Sequence, residues 1–371
     1  MRAFTFKGLF LTVVFMLLGC LSIQAADDDL ITKQITIKLD KAGTLPNKIG
    51  SSEKYKITNL KIVGEINGTD WKMIRVMAGR DYWGDVTEGN LSVLDLSEAK
   101  IVNGGDEYFV RGGYTSNDQI GFDAFNNCSG LTSLTLPAGI TSIGDGAFYG
   151  CSGLTSLNLP AGITEIGDYA FSRCSGLTSL TLPAGITSIS DCAFEDCSGL
   201  TSLTLPDGIT SIGSRAFWSC SGLTSINIPA SVTKIEYSAF RGCSGLTSLN
   251  LPAGITSISN CAFSGCSGLT SIYVYAEKVP GIGSYAFEEC DAKKCTVYVP
   301  KGTYGDYRSS DFGYFENIVE FDATGIDKTT TSTDVKEVSR YSVNGQRLVG
   351  PTKGLNIVKY SDGSVKKVAV E

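Results

Sequence analysis

The chain has 371 residues, of which 43 are glycine, 12 are cysteine and none is histidine, and its formal charge is −7. Because it contains no basic block that could release counterions from a phosphate backbone, nucleic acid is excluded as a partner. Without histidine, the chain also lacks the parts of a Ser-His-Asp or Cys-His catalytic arrangement and any histidine ligand for a metal. We therefore expect neither an enzyme nor a cofactor.

Residues 1–26 are predicted to be a signal peptide. Basic residues come before an apolar run from Leu9 to Leu21, and the small residues Ala25 and Ala26 follow it. A membrane-spanning helix needs roughly 18 to 20 residues, so this shorter run makes a retained membrane anchor the weaker interpretation. The tetrapeptide Leu-Leu-Gly-Cys that ends at Cys20 resembles a bacterial lipobox, which makes Cys20 a candidate lipidation site. The alternative is that Cys20 is a small apolar residue of the signal peptide.

Residues 27–89 are predicted to form a β-rich N-terminal cap that includes Trp71. Apolar and polar residues alternate from Ile35 to Leu39, the period of two expected of a strand that buries one face. A strand-like phrase that the rest of the chain repeats first appears at Asn90, and a glycine-rich insertion around Gly112 delays the first regular repeat. The repetitive part of the chain is therefore predicted to span residues 90–322.

From Ala124 onward the chain repeats whole phrases. An Ala-Phe pair recurs at intervals of 23 residues, with one final interval of 24, beginning at Ala124, Ala147, Ala170, Ala193, Ala216, Ala239, Ala262 and Ala286. Within one unit, Leu134 and Leu136 alternate with polar residues as in a short half-buried strand, and Pro137 ends that strand. Periods of this size are typical of solenoids whose turns stack on one another.

A single 23-residue unit cannot fold alone. Burial of its large apolar side chains yields roughly 10 kcal/mol, whereas ordering its backbone costs about 1 to 2 kcal/mol per residue. Stacking supplies the missing burial and the hydrogen bonds between strands. The sequence therefore predicts a mainly β solenoid of about eight 23-residue turns with a cap at each end.

At the C-terminal end, Cys295–Pro300 is predicted to be the last strand of the solenoid. A short helix near Tyr304 to Phe312 is expected to cover its edge, with Phe315 and Ile318 packing beneath the helix. Residues 323–336 are rich in threonine and are predicted to be a linker. Residues 337–371 contain strand-like runs separated by Asn-Gly and Asp-Gly turns, which predicts a small β-hairpin module.

The repeated phrase Ala-Phe-x-x-Cys-Ser-Gly-Leu-Thr-Ser-Leu-x-Leu-Pro-Ala-Gly-Ile-Thr-x-Ile is similar to the repeat of BspA-like leucine-rich-repeat surface proteins of Bacteroidetes. The match extends over residues 90–321. The resemblance implies a leucine-rich-repeat stack, export to the cell surface or outside the cell, and adhesion to host extracellular matrix proteins or to another bacterial surface. Three segments near the C-terminal end resemble terminal modules that can direct type IX secretion, with a structural end-cap as the alternative: residues 341–347, 353–358 and 366–368.

Two columns of chemically reactive side chains follow the repeat. Asp145, Asp168 and Asp191 share one position and are predicted to cap backbone amides in turns, with a calcium-binding ladder as the alternative. Eight cysteines share another position: Cys128, Cys151, Cys174, Cys197, Cys220, Cys243, Cys266 and Cys290. Because stacked equivalent residues point the same way, these thiols are predicted to be buried small side chains. Any disulfide is expected to involve Cys192, Cys261 or Cys295.

The repeats differ from one another just before and just after each Ala-Phe pair. Trp, Tyr and Arg, which dominate interface hot spots, are found at these variable positions. The candidate partner-binding residues are Arg215, Trp218, Tyr237, Arg241, Tyr169 and Arg173. The alternative is scattered surface variation. The exposed strand positions carry nearly uniform Ser, Thr and Asn, a face that can either bind an extended partner or remain a solvated surface.

The function predicted from these patterns is adhesion or protein binding at the cell surface. A carbohydrate-binding protein is the main alternative, but it predicts a row of exposed aromatic residues, of which only Tyr273 and Tyr298 are found. A hydrolase would need an acid pair outside the repeat register, for instance within residues 81–88 or at Asp106-Glu107, and neither segment carries a specific motif.

Overall fold

The computed structural model describes residues 30–322 and the backbone of four strands beyond them. The predicted signal peptide with Cys20 and the predicted linker 323–336 lie outside the described residues. The chain divides into two compact units, Met1–Phe321 and Asp322–Glu371.

The first unit is a parallel β-solenoid. Twelve parallel strands of its described residues form one long row, as sheets of four and eight strands joined by a bridge between Thr135 and Asn158. The strands are Ile35–Lys38, Asn59–Ile66, Val93–Ile101, Ser133–Thr135, Ser156–Leu157, Ser179–Thr181, Ser202–Thr204, Ser225–Asn227, Ser248–Leu251, Ser271–Val274, Thr296–Pro300 and Asn317–Phe321. The solenoid class is thus confirmed, but the predicted count of about eight turns is too low, because only eight of the strands follow an Ala-Phe pair.

A second row of two-residue strands lies on another side of each turn. It consists of a three-stranded and a five-stranded parallel sheet. Its strands are Gln119–Ile120, Ser142–Ile143, Glu165–Ile166, Ser188–Ile189, Ser211–Ile212, Lys234–Ile235, Ser257–Ile258 and Gly281–Ile282. In both rows equivalent residues pair directly, for example Leu203 with Leu180 and Ile212 with Ile189, so every turn presents the same residues to its neighbour.

Phenylalanine from each Ala-Phe pair forms a continuous column in the core. Ring centroids of neighbouring turns are 5.1 Å apart for Phe217 and Phe240 and 5.6 Å apart for Phe263 and Phe287, and the rings are nearly parallel. The flanking leucines and isoleucines are buried around this column. Each turn therefore completes the core of the next, as the burial argument requires.

Glycine allows the turns to approach closely in the Ser-Gly-Leu segment. A Cβ atom at Gly199 would lie 2.3 Å from the carbonyl oxygen of Ser175 in the preceding turn, well inside van der Waals contact. The equivalent glycines of the neighbouring turns, Gly176 and Gly222, meet the same obstacle at 2.2 and 2.4 Å. This glycine is thus a requirement of backbone contact between turns.

The N-terminal region continues the row of strands. Ile35–Lys38 pairs in parallel with Asn59–Ile66, which pairs with Val93–Ile101. The helices of this region are Leu45–Lys48, a 3-10 turn at Glu53–Tyr55, and Gly68–Met77. The buried carboxylate of Asp70 helps to cap the N-terminal end of the last of these helices. It accepts hydrogen bonds from the backbone amides of Gly43, Leu45 and Asn67.

Side chains of this region cover the carbonyl groups at the start of the Ala-Phe column. In the regular turns such carbonyls accept backbone amides, as when Phe125 N donates to Ala147 O at 2.7 Å. At the first turn, the Trp71 indole donates to Ala124 O at 3.0 Å and the Tyr108 hydroxyl donates to Phe122 O at 2.8 Å. The buried Arg75 adds a bond of 2.7 Å to Asp123 O. The polar end of the ladder is therefore satisfied by side-chain donors.

The C-terminal end is closed by a helix and aromatic packing. The predicted helix is observed as an α-helix at Tyr304–Arg308 and a 3-10 turn at Asp311–Tyr314. The last ring of the column, Phe287, contacts the rings of Phe312 and Phe315, each at 5.4 Å. The prediction that Cys295–Pro300 holds the last strand is wrong, because Asn317–Phe321, which includes Ile318, pairs with it in parallel and adds one more.

The second unit contains a four-stranded antiparallel sheet. Its strands are Glu337–Ser342, Arg347–Leu348, Gly354–Tyr360 and Val365–Val370. The first of them is central and pairs with both the second and the third, and the third pairs with the fourth. In the part of the chain described here, no helix is long and apolar enough to cross a membrane.

Candidate interaction surface

Two positions in each turn have a left-handed backbone, and three of the candidate residues, Tyr169, Arg173 and Arg215, lie at these positions. One is the residue directly before Ala-Phe and the other lies two residues after the phenylalanine; φ is +56° at Tyr169, +60° at Arg173 and +54° at Arg215. All eight Ala-Phe turns show this pair of positive φ values, and four of the sixteen positions are glycine: Gly146, Gly150, Gly242 and Gly265. We call the surface formed by these positions and the residues beside them, which include Trp218, Tyr237 and Arg241, the turn face.

A non-glycine residue in this conformation costs roughly 1 to 2 kcal/mol. The backbone holds it there, since Arg215 N donates to Tyr237 O at 2.8 Å and Arg173 N donates to Glu195 O at 2.7 Å. Glycine occupies equivalent positions in other turns, so the larger side chains are not needed to form the turn. Such retained strain is common at functional sites.

Three candidate residues form one cluster across adjacent turns. The Arg215 guanidinium lies 5.0 Å from the ring centroid of Trp218 and 5.8 Å from that of Tyr237. Trp218 is half-buried, whereas 41% of Tyr237 is exposed. Arg241 occupies the position of Trp218 in the next turn and is exposed; its backbone oxygen accepts a hydrogen bond from Ser219 N. The structure thus brings Arg215, Trp218 and Tyr237 into contact and places Arg241 beside them.

Tyr169 and Arg173 belong to an earlier part of the turn face. The Arg173 guanidinium lies 5.3 Å from the ring centroid of Tyr149, and its Nε is 3.7 Å from a carboxylate oxygen of Asp196. Tyr169 shares its repeat position with Cys192 and Arg215, and a hydrogen bond with the Cys192 thiol raises the pKa of its hydroxyl. Tyr169 and Arg215 therefore stand in one column with Cys192 between them.

The aspartate column caps backbone amides, as predicted. Asp145 Oδ1 accepts from Asp168 N at 2.9 Å, and Asp168 Oδ1 accepts from Asp191 N at 3.0 Å. Partial burial, with the neighbouring aspartates Asp145 and Asp191, raises the pKa of the Asp168 carboxyl. In residues 30–322 no group of three or more acidic or cysteine side chains is arranged to hold a metal ion.

The cysteine column is buried, which confirms that prediction, but its thiols also form hydrogen bonds that the sequence did not reveal. Cys151 donates to Phe125 O at 3.1 Å and Cys197 donates to Phe171 O at 3.0 Å, in each case to the preceding turn. Burial raises the pKa of Cys128 to about 11 and that of Cys197 to about 12. All eleven described cysteines are free thiols, including Cys192, Cys261 and Cys295.

Among residues 30–322, the exposed face of the long row of strands, which we call the strand face, carries aromatic residues only near its C-terminal end. The rings of Tyr273 and Tyr298 are stacked with centroids 4.4 Å apart, and Phe321 meets Tyr273 edge-on at 5.8 Å. Earlier turns expose Ser, Thr and Asn at these positions, as in Ser179–Thr181. The aromatic row that a carbohydrate-binding strand face requires is therefore confined to this end.

The acidic segments considered for a hydrolase have structural partners. The Glu107 carboxylate accepts hydrogen bonds from the Tyr82 hydroxyl at 2.7 Å and from Gly112 N at 2.8 Å. Asp81 Oδ1 accepts from the backbone amides of Trp83 and Asp85. These carboxylates fix the loops around the N-terminal end of the solenoid.

The stacked turns and their short parallel strands define the chain as a leucine-rich-repeat solenoid. Residues 118–247 and 240–332 match the family model described as BspA type leucine rich repeat region, in six copies. Since these matches cover more than half of the chain, the protein belongs to that family.

Several solved structures are similar to the chain. A T. pallidum leucine rich repeat protein is 31% identical, with 43% of this chain and 74% of that chain covered and a TM-score of 0.40. A leucine rich cell surface protein from Faecalibacterium prausnitzii is 20% identical, with 79% and 91% covered and a TM-score of 0.34. A leucine-rich repeat protein from Bacteroides ovatus is 22% identical, with 72% and 84% covered and a TM-score of 0.26. Among curated proteins, none matches the chain.

Proposed function

We propose that this protein is exported to the bacterial cell surface and acts there as an adhesin that binds a protein partner through its turn face. Arg215, Trp218, Tyr237 and Arg241 form the centre of the proposed contact, and Tyr169 and Arg173 extend it. The partner class is a host extracellular matrix protein or a protein on another bacterial surface, as the BspA type implies. The function is binding, not catalysis.

The contact between Arg215 and two aromatic rings is the observation that carries this proposal. Arg, Trp and Tyr are the residue types that contribute most to protein interfaces. A long arginine side chain ordinarily loses rotamer freedom on binding, at about 0.5 to 1.5 kcal/mol. Here the rings of Trp218 and Tyr237 already restrain the guanidinium at 5.0 and 5.8 Å, so part of that cost is met before the partner arrives.

Backbone strain at Arg215 supports the same site. Its φ of +54° is unfavourable for arginine, whereas Gly146 fills the same repeat position three turns earlier. The turn would therefore form more easily with glycine. We take the retention of Arg215 as evidence that its side chain is used.

The experiment is a binding assay on immobilised matrix proteins and on intact bacterial cells, using the fluorescently labelled chain. Trp218→Ala and Arg215→Ala should each lower the affinity at least about tenfold, as expected for hot-spot residues. Tyr304→Ala, at a half-exposed tyrosine of the C-terminal cap, is the matched control and should bind as the unchanged chain does. Equal affinity of all variants for every bound partner would refute the site.

Location is tested separately. Export through residues 1–26 predicts that protease added to intact cells removes the protein, and mass spectrometry of the mature N-terminus distinguishes cleavage after Ala26 from lipidation at Cys20. The proposed source is a member of the Bacteroidetes, in which the C-terminal unit directs type IX secretion. Deletion of residues 337–371 should then leave the protein in the periplasm.

A further inference from the structure

The turn face contains a recess near its N-terminal end, beside a turn that has glycine at both left-handed positions. The second Ala-Phe turn carries Gly146 at a left-handed position where the turns on either side carry Asp123 and Tyr169. A Cβ atom at Gly146 would lie 2.3 Å from Asp123 Oδ1, so a side chain there would clash with Asp123. The recess beside these residues has a volume of about 380 Å³, and Tyr149, Asn126 and other residues of neighbouring turns line it.

The inner wall of the recess is polar and rigid. Asp123 is only 8% exposed, and its Oδ1 accepts a hydrogen bond of 2.6 Å from Asn126 Nδ2. Asn126 Oδ1 in turn accepts a bond of 2.7 Å from Asn127 Nδ2. The fully buried side-chain atoms without a partner in residues 30–322 do not include Asp123 Oδ2, so this oxygen is accessible and can accept a hydrogen bond from a ligand in the recess.

Aromatic rings form the other walls. Phe122 and Phe109 lie together on one side, with centroids 6.4 Å apart. Tyr149 and Tyr169 lie on the other, and 44% of Tyr169 is exposed. The ring of Tyr149 is held by Arg173, whose guanidinium lies 5.3 Å from its centroid. A ligand in the recess can therefore pack a non-polar face against a ring while its polar groups reach Asp123.

The charges around the recess select a ligand without net charge. Asp123 and Asp145 are opposed by Arg111, which also lines the recess, and by the nearby Arg173. An ammonium or a carboxylate placed there would meet a like charge as well as an opposite one. A hydroxyl group donates and accepts, so a set of hydroxyls can satisfy Asp123, the second oxygen of Asp145 and the guanidinium of Arg111 together.

We propose that this recess is a binding site for a neutral sugar, with one pyranose ring packed on Tyr169 or Phe122 and its hydroxyls bound to Asp123, Asp145 and Arg111. The volume of about 380 Å³ lies at the lower end of the range for ligand pockets, as a ligand of one or two rings requires. The recess shares Tyr169 with the edge of the proposed protein contact but contains none of Arg215, Trp218, Tyr237 and Arg241, so sugar binding and protein binding can each fail without the other.

The test is saturation-transfer NMR on the full chain with a panel of probes: the methyl pyranosides of glucose, galactose and mannose, and N-acetylglucosamine. At least one neutral sugar is expected to bind with a dissociation constant on the order of 1 mM, a typical value for a few hydrogen bonds and one ring contact. Cationic glucosamine and anionic glucuronic acid should bind more weakly than their neutral relatives. Absence of transfer from every neutral probe, or stronger binding of a charged one, overturns the proposal.

Two substitutions place the sugar in the recess. Asp123→Asn keeps an acceptor for Asn126 but removes the charge, and should lower the affinity about tenfold. Tyr169→Gly removes an aromatic wall and leaves the fold intact, because Gly146 fills the equivalent position one turn earlier. It should lower the affinity about fivefold or more. Tyr285→Gly, at the same repeat position five turns away, is the control and should bind the sugar unchanged. Equal binding by all three variants refutes the location.

Discussion

Gly199 lies where the backbone of one turn crosses that of the preceding turn, and replacing it by alanine tests how tightly the turns are joined. The added methyl group would stand 2.3 Å from Ser175 O and 3.3 Å from Leu177 O. Neither oxygen can move far, because Leu203 on the same turn pairs with Leu180 and the Phe194 ring is stacked 5.5 Å from Phe171. The turns must separate locally by roughly 1 Å to restore ordinary contact.

Such overpacking costs about 1 to 3 kcal/mol. For a unit of this size, each kcal/mol lowers the melting temperature by roughly 2 to 4 °C, so Gly199→Ala should lower it by about 2 to 12 °C. Urea unfolding followed by tryptophan fluorescence and by circular dichroism measures the same loss as a lower midpoint.

Gly208→Ala is the matched control, since it adds the same methyl group in the same turn. Its nearest neighbours would be Ile186 O at 3.7 Å and Ala184 O at 3.8 Å, which are ordinary contacts. Its stability should change by no more than about 0.5 kcal/mol, with a slight gain from the stiffer unfolded chain. If Gly199→Ala is as stable as Gly208→Ala, the close approach of the turns does not constrain this residue and the reasoning fails.

Three further predictions concern the core, the thiols and the turn face. Phe194→Ala should lower the free energy of unfolding in urea by about 3 to 5 kcal/mol, because the ring is fully buried in its column. Phe194→Leu should lower it by less than half of that, and equal losses for the two variants would contradict the stacking argument. In Ellman's assay at pH 8, Cys261 should be the described cysteine that reacts within minutes, since it alone among them is partly exposed. Burial keeps the thiols of the cysteine column protonated by raising their pKa values, to about 12 at Cys197. Rapid reaction of the Cys261→Ser variant would contradict this prediction. Tyr285→Gly should raise the free energy of unfolding by about 0.5 to 1 kcal/mol, because Tyr285 has a φ of +61° and a side chain that is 67% exposed. A loss of stability would show that this backbone conformation carries no strain.

The solenoid could be predicted because the same pattern of buried and exposed residues occurs in eight repeats. Leu180 and Leu203 alternate with exposed serine and threonine, and the structure pairs them directly in neighbouring strands. The first strands were harder to place in the row. Ile35–Lys38 and Asn59–Ile66 lack the Ala-Phe and Ser-Gly-Leu phrases, so the sequence indicates strands but not the partners with which they pair.

The turn face was only partly predictable. Variation among the repeats identified Arg215 and Tyr169, but their left-handed conformation was not recognised. The signal was present in the sequence, since Gly146 occupies the position of Tyr169 and Arg215 in another repeat, and a position that varies between glycine and large residues suggests positive φ. The recess beside Gly146 borders the same column, since Asp123 and Tyr169 of the turns on either side line it.

The capping of the first Ala-Phe turn could not be predicted from residue patterns. Trp71 and Tyr108 act through single donor atoms aimed at carbonyl oxygens of residues 53 and 14 positions away. Their sequence positions contain no periodicity, and only the three-dimensional arrangement of the helix Gly68–Met77 beside the turn reveals the bonds.

The two ends of the ladder are chemically unlike each other and unlike any interior turn. The Trp71 and Tyr108 donors fit only the first turn, and Phe312 and Phe315 fit only the last. Insertion or loss of a whole 23-residue segment between the two ends, as by unequal recombination of the repetitive gene, would leave the capping contacts at both ends unchanged. The length of this scaffold can therefore change in evolution by whole repeats while both ends of the Ala-Phe column stay covered.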